Sequence, residues 1–191
     1  MATSITGATR GGRAADDQKQ RPDGRTDAVG PTPRRLALLW GVLVLALAVH
    51  NLEEVLLDLP RWAADRPFLP SAALYGEQAQ FGLAVLIVTG VVAVIGAIAI
   101  VRRPAWSAEV LACLAHVLLI NAATHVVVSA VSWSLMPGLV TGVLLLLPIG
   151  LLVVRSLPPV QWTRANVLIV VGAAAGIVFG SLGLAALVHL G

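Results

Sequence analysis

LALLWGVLVLALAVHNLEEVLL, residues 36–57, decides what kind of molecule this is. Coiled as a helix at 1.5 Å per residue, the run is long enough to cross the ~30 Å hydrocarbon layer of a bilayer. Its carboxyl end is anomalous for such a run: His50, Glu53 and Glu54 stand in the sequence HNLEE, at a depth where charge is disfavoured. Steps of three and four residues place both carboxylates next to His50 on one side of the helix, about 100° apart. An ionised group at membrane depth costs roughly 2.5–3.5 kcal/mol, so such residues face a bundle interior or water and mark a functional site by default.

The rest of the chain agrees with a membrane reading. Of 191 residues, 58% are hydrophobic and only 12% charged, whereas about a quarter are charged in soluble domains. The single cysteine, Cys113, lies in an apolar run, which excludes an intramolecular disulfide and disfavours a reactive thiolate. The net charge of +3 comes from arginines in the tail and loops. In a membrane protein these report orientation and contact with anionic lipid, and they imply no nucleic-acid partner.

Residues 1–33 are rich in Gly, Thr, Arg, Asp and Pro, too poor in large apolar side chains to offset chain entropy, and are expected to form a disordered basic tail. Arg34-Arg35 in TPRRLAL is similar to a twin-arginine export signal. The full span length that follows favours an anchor, because cleavage would discard the helix carrying HNLEE. Residues 34–191 are read as an all-α, polytopic bundle of about five transmembrane helices, at about 36–57, 78–101, 106–133, 138–157 and 165–190. Pro148 is expected to kink the fourth. The connection over 58–76, with Trp62, Phe68 and Tyr75 among Arg61, Asp65 and Arg66, has the composition of an interfacial loop. In the fifth run, Gly172, Gly176 and Gly180 form a small-residue stripe suited to packing within the bundle or to a homo-oligomer.

Seven Lys and Arg lie in the tail through Arg35, two at Arg102-Arg103 and two at Arg155 and Arg164, while Arg61 and Arg66 alone lie on the other side of the alternating spans. The positive-inside bias then predicts a cytoplasmic amino end and an outer carboxyl end, in a bacterial plasma membrane.

The first and third runs travel in the same direction, so depth can be compared from their outer ends. His50 lies seven residues before the end of one and His125 eight before the end of the other, roughly 11 Å inside in both cases. Asn121 is one turn from His125 on the same face, Thr124 is beside it, and Ser129 continues the polar stripe. His50, Glu53, Glu54, Asn121 and His125 are therefore the candidate catalytic residues of one pocket opening toward the outer leaflet, with Gln80, Thr124, Ser129 and Thr141 as candidate lining. His116, about 180° around the helix from His125, is read as a packing histidine, and Glu109 as a complement to the helix dipole.

His50, Glu53 and Glu54, together with Asn121-Ala-Ala-Thr-His125 and Pro137-Gly138, resemble the HXXEE-motif family of uncharacterised integral membrane proteins over about residues 40–157. The resemblance implies an architecture and a site, and brings no activity with it. Several chemistries remain open from the residues themselves. His50, Glu54 and His125 form a His₂Glu set of the kind zinc or iron accepts, leaving a position for water with Glu53 placed to take its proton. Alternatively, a carboxyl in apolar surroundings acts as a general acid with a histidine partner, for example on an alkene or epoxide of a lipid-like or isoprenoid substrate, in hydrolysis or cyclisation. Buried His and Glu also suit a proton, ion or small-molecule transporter. A haem between the two histidines is disfavoured by the paired carboxylates. The plainest alternative is polar packing between two helices in a membrane scaffold.

Overall fold

The computed structural model describes residues 31–66 and 76–159, together with the isolated positions 163, 164, 167, 171, 172 and 183. Helix α1 spans Pro33–Leu56. Thr32 accepts the Arg35 backbone N–H at 3.3 Å, and Pro33 occupies the first turn, where its missing N–H costs nothing. The chain leaves α1 through Asp58, in a left-handed conformation (φ 50°), whose carboxylate accepts the Arg61 N–H and caps a short helix α2, Leu59–Ala64. Helix α3 spans Gln78–Arg102 and ends at left-handed Arg103 ahead of Pro104. Helix α4 spans Ser107–Ser132 and ends at left-handed Trp133.

The last described helix, α5, covers Leu139–Ser156. Its residues Gly142–Leu146 form a π turn, with the Leu147 N–H reaching back five residues to the Gly142 carbonyl. Pro148 follows immediately. A proline ring clashes with the carbonyl four residues earlier in a regular α-helix, and the wider turn gives that carbonyl room. The expected distortion at Pro148 thus takes the form of a π turn just before it.

Helices α1, α3, α4 and α5 are 24, 25, 26 and 18 residues long and apolar enough to cross a membrane, and the described chain is all helix and connections. Leu38, Leu45, Leu52 and Leu56 on α1 are between 54% and 71% exposed, as a lipid-facing flank requires. The predicted fifth span, and the Gly172, Gly176 and Gly180 stripe with it, lies outside the described residues apart from isolated positions. So do residues 1–30 of the predicted tail. The predicted interfacial loop is corrected over its first part: α2 is a helix, with Leu59, Pro60 and Ala63 buried. Phe68 and Tyr75 lie outside the described residues.

Helix α1 packs chiefly on α3, and α4 on α5. The main core gathers Leu39, Trp40, Leu43 and Ala46 of α1, Leu111, Ala115 and Ala122 of α4, and Leu146 and Val153 of α5. Close approach of α4 and α5 depends on Gly150, where a Cβ would sit 2.8 Å from Leu119 side-chain carbons and 3.2 Å from the Ala115 carbonyl. A smaller cluster, Leu59, Phe81 and Met136, closes the opposite end. Two buried polar links tie the helices: Trp40 Nε1 donates to Ser107 Oγ at 2.9 Å, and Asn51 Nδ2 donates to Thr89 Oγ1 at 2.7 Å. Between the two apolar clusters lies a layer of polar side chains from α1, α4 and the start of α5.

Candidate functional site

That layer is built on three helices. Helices α1 and α4 run in parallel and bring His50 and His125 to one level, their ring centroids 4.8 Å apart and their planes at 87°. Glu54, one turn beyond His50, directs Oε1 between them, 3.3 Å from His50 Nε2 and 3.1 Å from His125 Nε2. His50 is fully buried, His125 is 2% exposed and Glu54 7%. The amide of Asn121, from the turn of α4 before His125, lies 3.0 Å from His50 Nε2. Thr141 Oγ1, from the first turn of α5, lies 3.0 Å from His50 Nδ1.

The cover over this layer is Gly138. It has φ 91°, and a Cβ there would lie 2.5 Å from His125 Cε1, 2.9 Å from His50 Cε1 and 3.0 Å from Glu54 Cγ. Only glycine satisfies both the backbone angle and the contact. The connection from α4 to α5 is held in turn by Ser129, whose hydroxyl accepts the Met136 N–H at 2.9 Å, and by Ser134. Ser134 Oγ accepts from Trp62 Nε1 at 3.2 Å and from Arg66, and the Arg66 guanidinium stacks on the Trp62 ring.

Glu53 and Glu54 take different neighbours, as their 100° separation demands. The Glu53 carboxylate accepts the backbone N–H groups of Val140 at 3.3 Å and Thr141 at 2.8 Å. It thereby caps an α5 terminus whose own N-cap, Gly138, has no side chain to do so. A carboxylate there also complements the positive end of the helix dipole.

The structure thus brings together His50, Glu54, Asn121, His125 and Thr141, sets Glu53 behind them on the α5 terminus, and uses Ser129 in the wall. Two expected lining residues lie elsewhere. Thr124 is exposed and donates its hydroxyl to the Ile120 carbonyl at 2.9 Å, so it satisfies itself on the lipid side of α4. Gln80 lies against Gly76 at the start of α3, and the neighbouring Gln78 reaches α1 instead, donating to the Val55 carbonyl at 2.6 Å. The Gly138 turn covers the cluster on the side of the connection from α4 to α5. Asn51 and Thr89 escaped the sequence reading. Thr89 is the lone hydroxyl in a long apolar stretch of α3, and that isolation was the available signal. His116 keeps its packing role, with Nδ1 2.7 Å from the Ala112 carbonyl.

His50 Nε2 carries either a proton or a lone pair. With a proton, it serves Glu54 Oε1 at 3.3 Å and can share that proton with an inward-turned Asn121 oxygen. With a lone pair, it accepts from Asn121 Nδ2, and from Glu54 Oε1 when that carboxyl holds the proton. His125 Nδ1 is buried with no hydrogen-bond partner among the described residues, so all the polar bonding of that ring is concentrated on Nε2, which faces Glu54.

Four membrane-length helices, two of which build a buried His–Glu–His centre with Asn121 beside it, define an integral membrane protein with a polar site inside its bundle. Residues 41–153 match the family described as "Protein of unknown function with HXXEE motif", and the chain belongs to that family. The match holds HNLEE, Asn121, His125, Gly138 and Thr141, and covers α1 from its third turn to near the end of α5. No significant match was found among curated proteins or among solved structures.

Proposed function

We propose that this protein is a membrane-embedded enzyme whose reaction centre is His50, Glu54, His125 and Asn121, acting by acid/base or metal-assisted chemistry on a lipid-like or isoprenoid substrate. The observation that carries the reading is a single buried carboxylate oxygen, Glu54 Oε1, placed 3.3 and 3.1 Å from the Nε2 atoms of two buried histidines. Such a set is costly to hold in an apolar bundle. Interhelical hydrogen bonds in membranes contribute only about 0.6 kcal/mol each, which argues against polar packing as its sole purpose. A carboxylate between two imidazoles takes, stores and hands on a proton, the requirement for general acid/base work.

Location supports the proposed substrate class. The centre lies inside a bundle flanked by exposed Leu and Val, so a reactant arriving from the side is apolar. The end of α4 beside it presents an open cleft lined by Ser129, Ala130, Trp133, Ser134 and Leu135, one turn beyond His125. With the amino terminus in the cytoplasm of a bacterial cell, as the arginine distribution favours, the centre sits in the outer half of the plasma membrane.

The test is turnover in vesicles. Full-length protein reconstituted with phospholipids, prenyl alcohols and prenyl diphosphates is expected to change the mass of one lipid class, and His50→Ala, Glu54→Gln and His125→Ala to abolish the change. A second reading, proton transport, is favoured by the chain Thr141–His50–Glu54–His125, a continuous relay of polar contacts. Unchanged lipids together with a Glu54-dependent proton flux under a pH gradient would replace the enzyme reading with this one.

A further inference from the structure

We infer that His50, Glu54 and His125 hold one divalent transition cation, zinc or iron(II), through Nε2, Oε1 and Nε2, with the Asn121 side-chain oxygen as a weaker, displaceable fourth donor. The inference deepens the reading above and rests on it for any role in a reaction, but stands on separate observations. Three ligand atoms, one from each residue, converge within 4.8 Å of one another, and all three side chains are buried. Two of the three separations, 3.3 and 3.1 Å, match the edge of about 3.3 Å that tetrahedral bonds of 2.0–2.1 Å require; the third, between the two imidazole nitrogens and within 4.8 Å, has to close as the rings turn onto the ion.

The same separations also suit hydrogen bonds, and what favours a cation is the convergence of three ligand atoms from two helices on one buried point. A cation there is faced by both imidazole nitrogens and the carboxylate, and by Asn121 when its amide oxygen is turned inward. A doubly charged ion also answers the cost of burying an ionised Glu54.

Thr141 is then the outer partner of a ligand. With Nε2 on the cation, His50 carries its proton on Nδ1 and donates it to Thr141 Oγ1 at 3.0 Å, the arrangement that fixes ring orientation in histidine metal sites. Gly138 leaves no room for a side chain over the ligands. The set pairs two imidazoles with one carboxylate, the donors that zinc and non-haem iron accept. The neutral amide is the weakest donor, and therefore the one a substrate oxygen displaces.

The experiment uses the full chain, purified in detergent through a tag without histidines, stripped with chelator and reloaded with zinc alone, or with iron(II) under anaerobic conditions. Stoichiometric uptake is expected, lost in His50→Ala, Glu54→Gln and His125→Ala and retained in His116→Ala. Thr141→Val is expected to weaken affinity by roughly 10–100-fold while uptake remains stoichiometric at saturation. Should the ligand variants fail to fold, cobalt(II) titration of the wild-type protein serves instead, since ligation by this set gives visible d–d absorption. Absence of uptake and of those bands, or uptake unchanged in His125→Ala, overturns the inference. Absence of uptake with lipid turnover retained overturns the inference and leaves the enzyme reading standing. Metal uptake without any lipid turnover supports the inference and removes the enzyme reading.

Discussion

At the scale of single residues, the site depends on one position that has no side chain. Gly138 combines a left-handed backbone with a Cβ position already occupied by His125, His50 and Glu54. Gly138→Ala is therefore expected to lower stability by on the order of 3 kcal/mol, combining left-handed strain with overpacking, and to displace the two rings. Thermal unfolding in detergent checks the first effect and the loss of centre-dependent function the second. A melting temperature within a degree of wild type would contradict the cover described above. Much of the residue-level site was legible beforehand because depth in a membrane is countable: His50, His125 and Asn121 share a level in two parallel helices, and Thr141 sits one turn into the next. Facing was less legible. In a soluble helix the apolar side marks the core, but here both the core side and the lipid side are apolar, and only a polar residue with an unmet need reveals the inward face. Thr124 has no such need, because its hydroxyl returns to the Ile120 carbonyl.

At the scale of elements, the two adjacent carboxylates of the motif serve two different helices. Glu54 belongs to the centre shared by α1 and α4, while Glu53 terminates α5 by accepting two of its free N–H groups. Glu53→Gln keeps an acceptor but removes the charge at the positive end of the helix, and is expected to cost about 1–2 kcal/mol. Glu53→Leu should cost more. Chemical or thermal denaturation of the two variants measures the order, and equal stability of Glu53→Leu and wild type would rule out the capping role. Nothing in the spacing of HNLEE identifies α5 as the partner of Glu53, because that contact depends on how the connection through Pro137-Gly138 folds back. The helix α2 was hidden for a similar reason. Its few residues have no periodicity to read, and its burial against Phe81 and Met136 is a tertiary matter.

At the scale of the whole molecule, the placement of charge makes a claim about sides. With Cys113 replaced by Ala, single cysteines introduced at Ser4 and at Gly191 report topology by labelling with an impermeant maleimide. A cytoplasmic amino end and five spans predict protection at Ser4 and labelling at Gly191. Labelling of Ser4 in intact cells would reverse the orientation, and protection of both ends would fit an even number of spans. Four of the spans were readable from length and hydropathy, to within a few residues at each end, because a bilayer demands a minimum length whatever the packing. The pairing of α1 with α3 and of α4 with α5 was not, since it rests on small features such as Gly150 against Leu119 and Asn51 against Thr89.

The π turn in α5 separates the orientations of its two ends. In an uninterrupted α-helix, orienting one residue orients every other, because each step adds a fixed rotation of about 100°. The surplus residue between Gly142 and Leu146 breaks that chain of rotations. Above it, Thr141 answers to His50; below it, Gly150 answers to Leu119. The turn therefore decouples the two ends, so that the facing of Gly150 toward Leu119 does not dictate the facing of Thr141 toward His50. The upper end, with its threonine and its glycine, stays aligned on the two histidines.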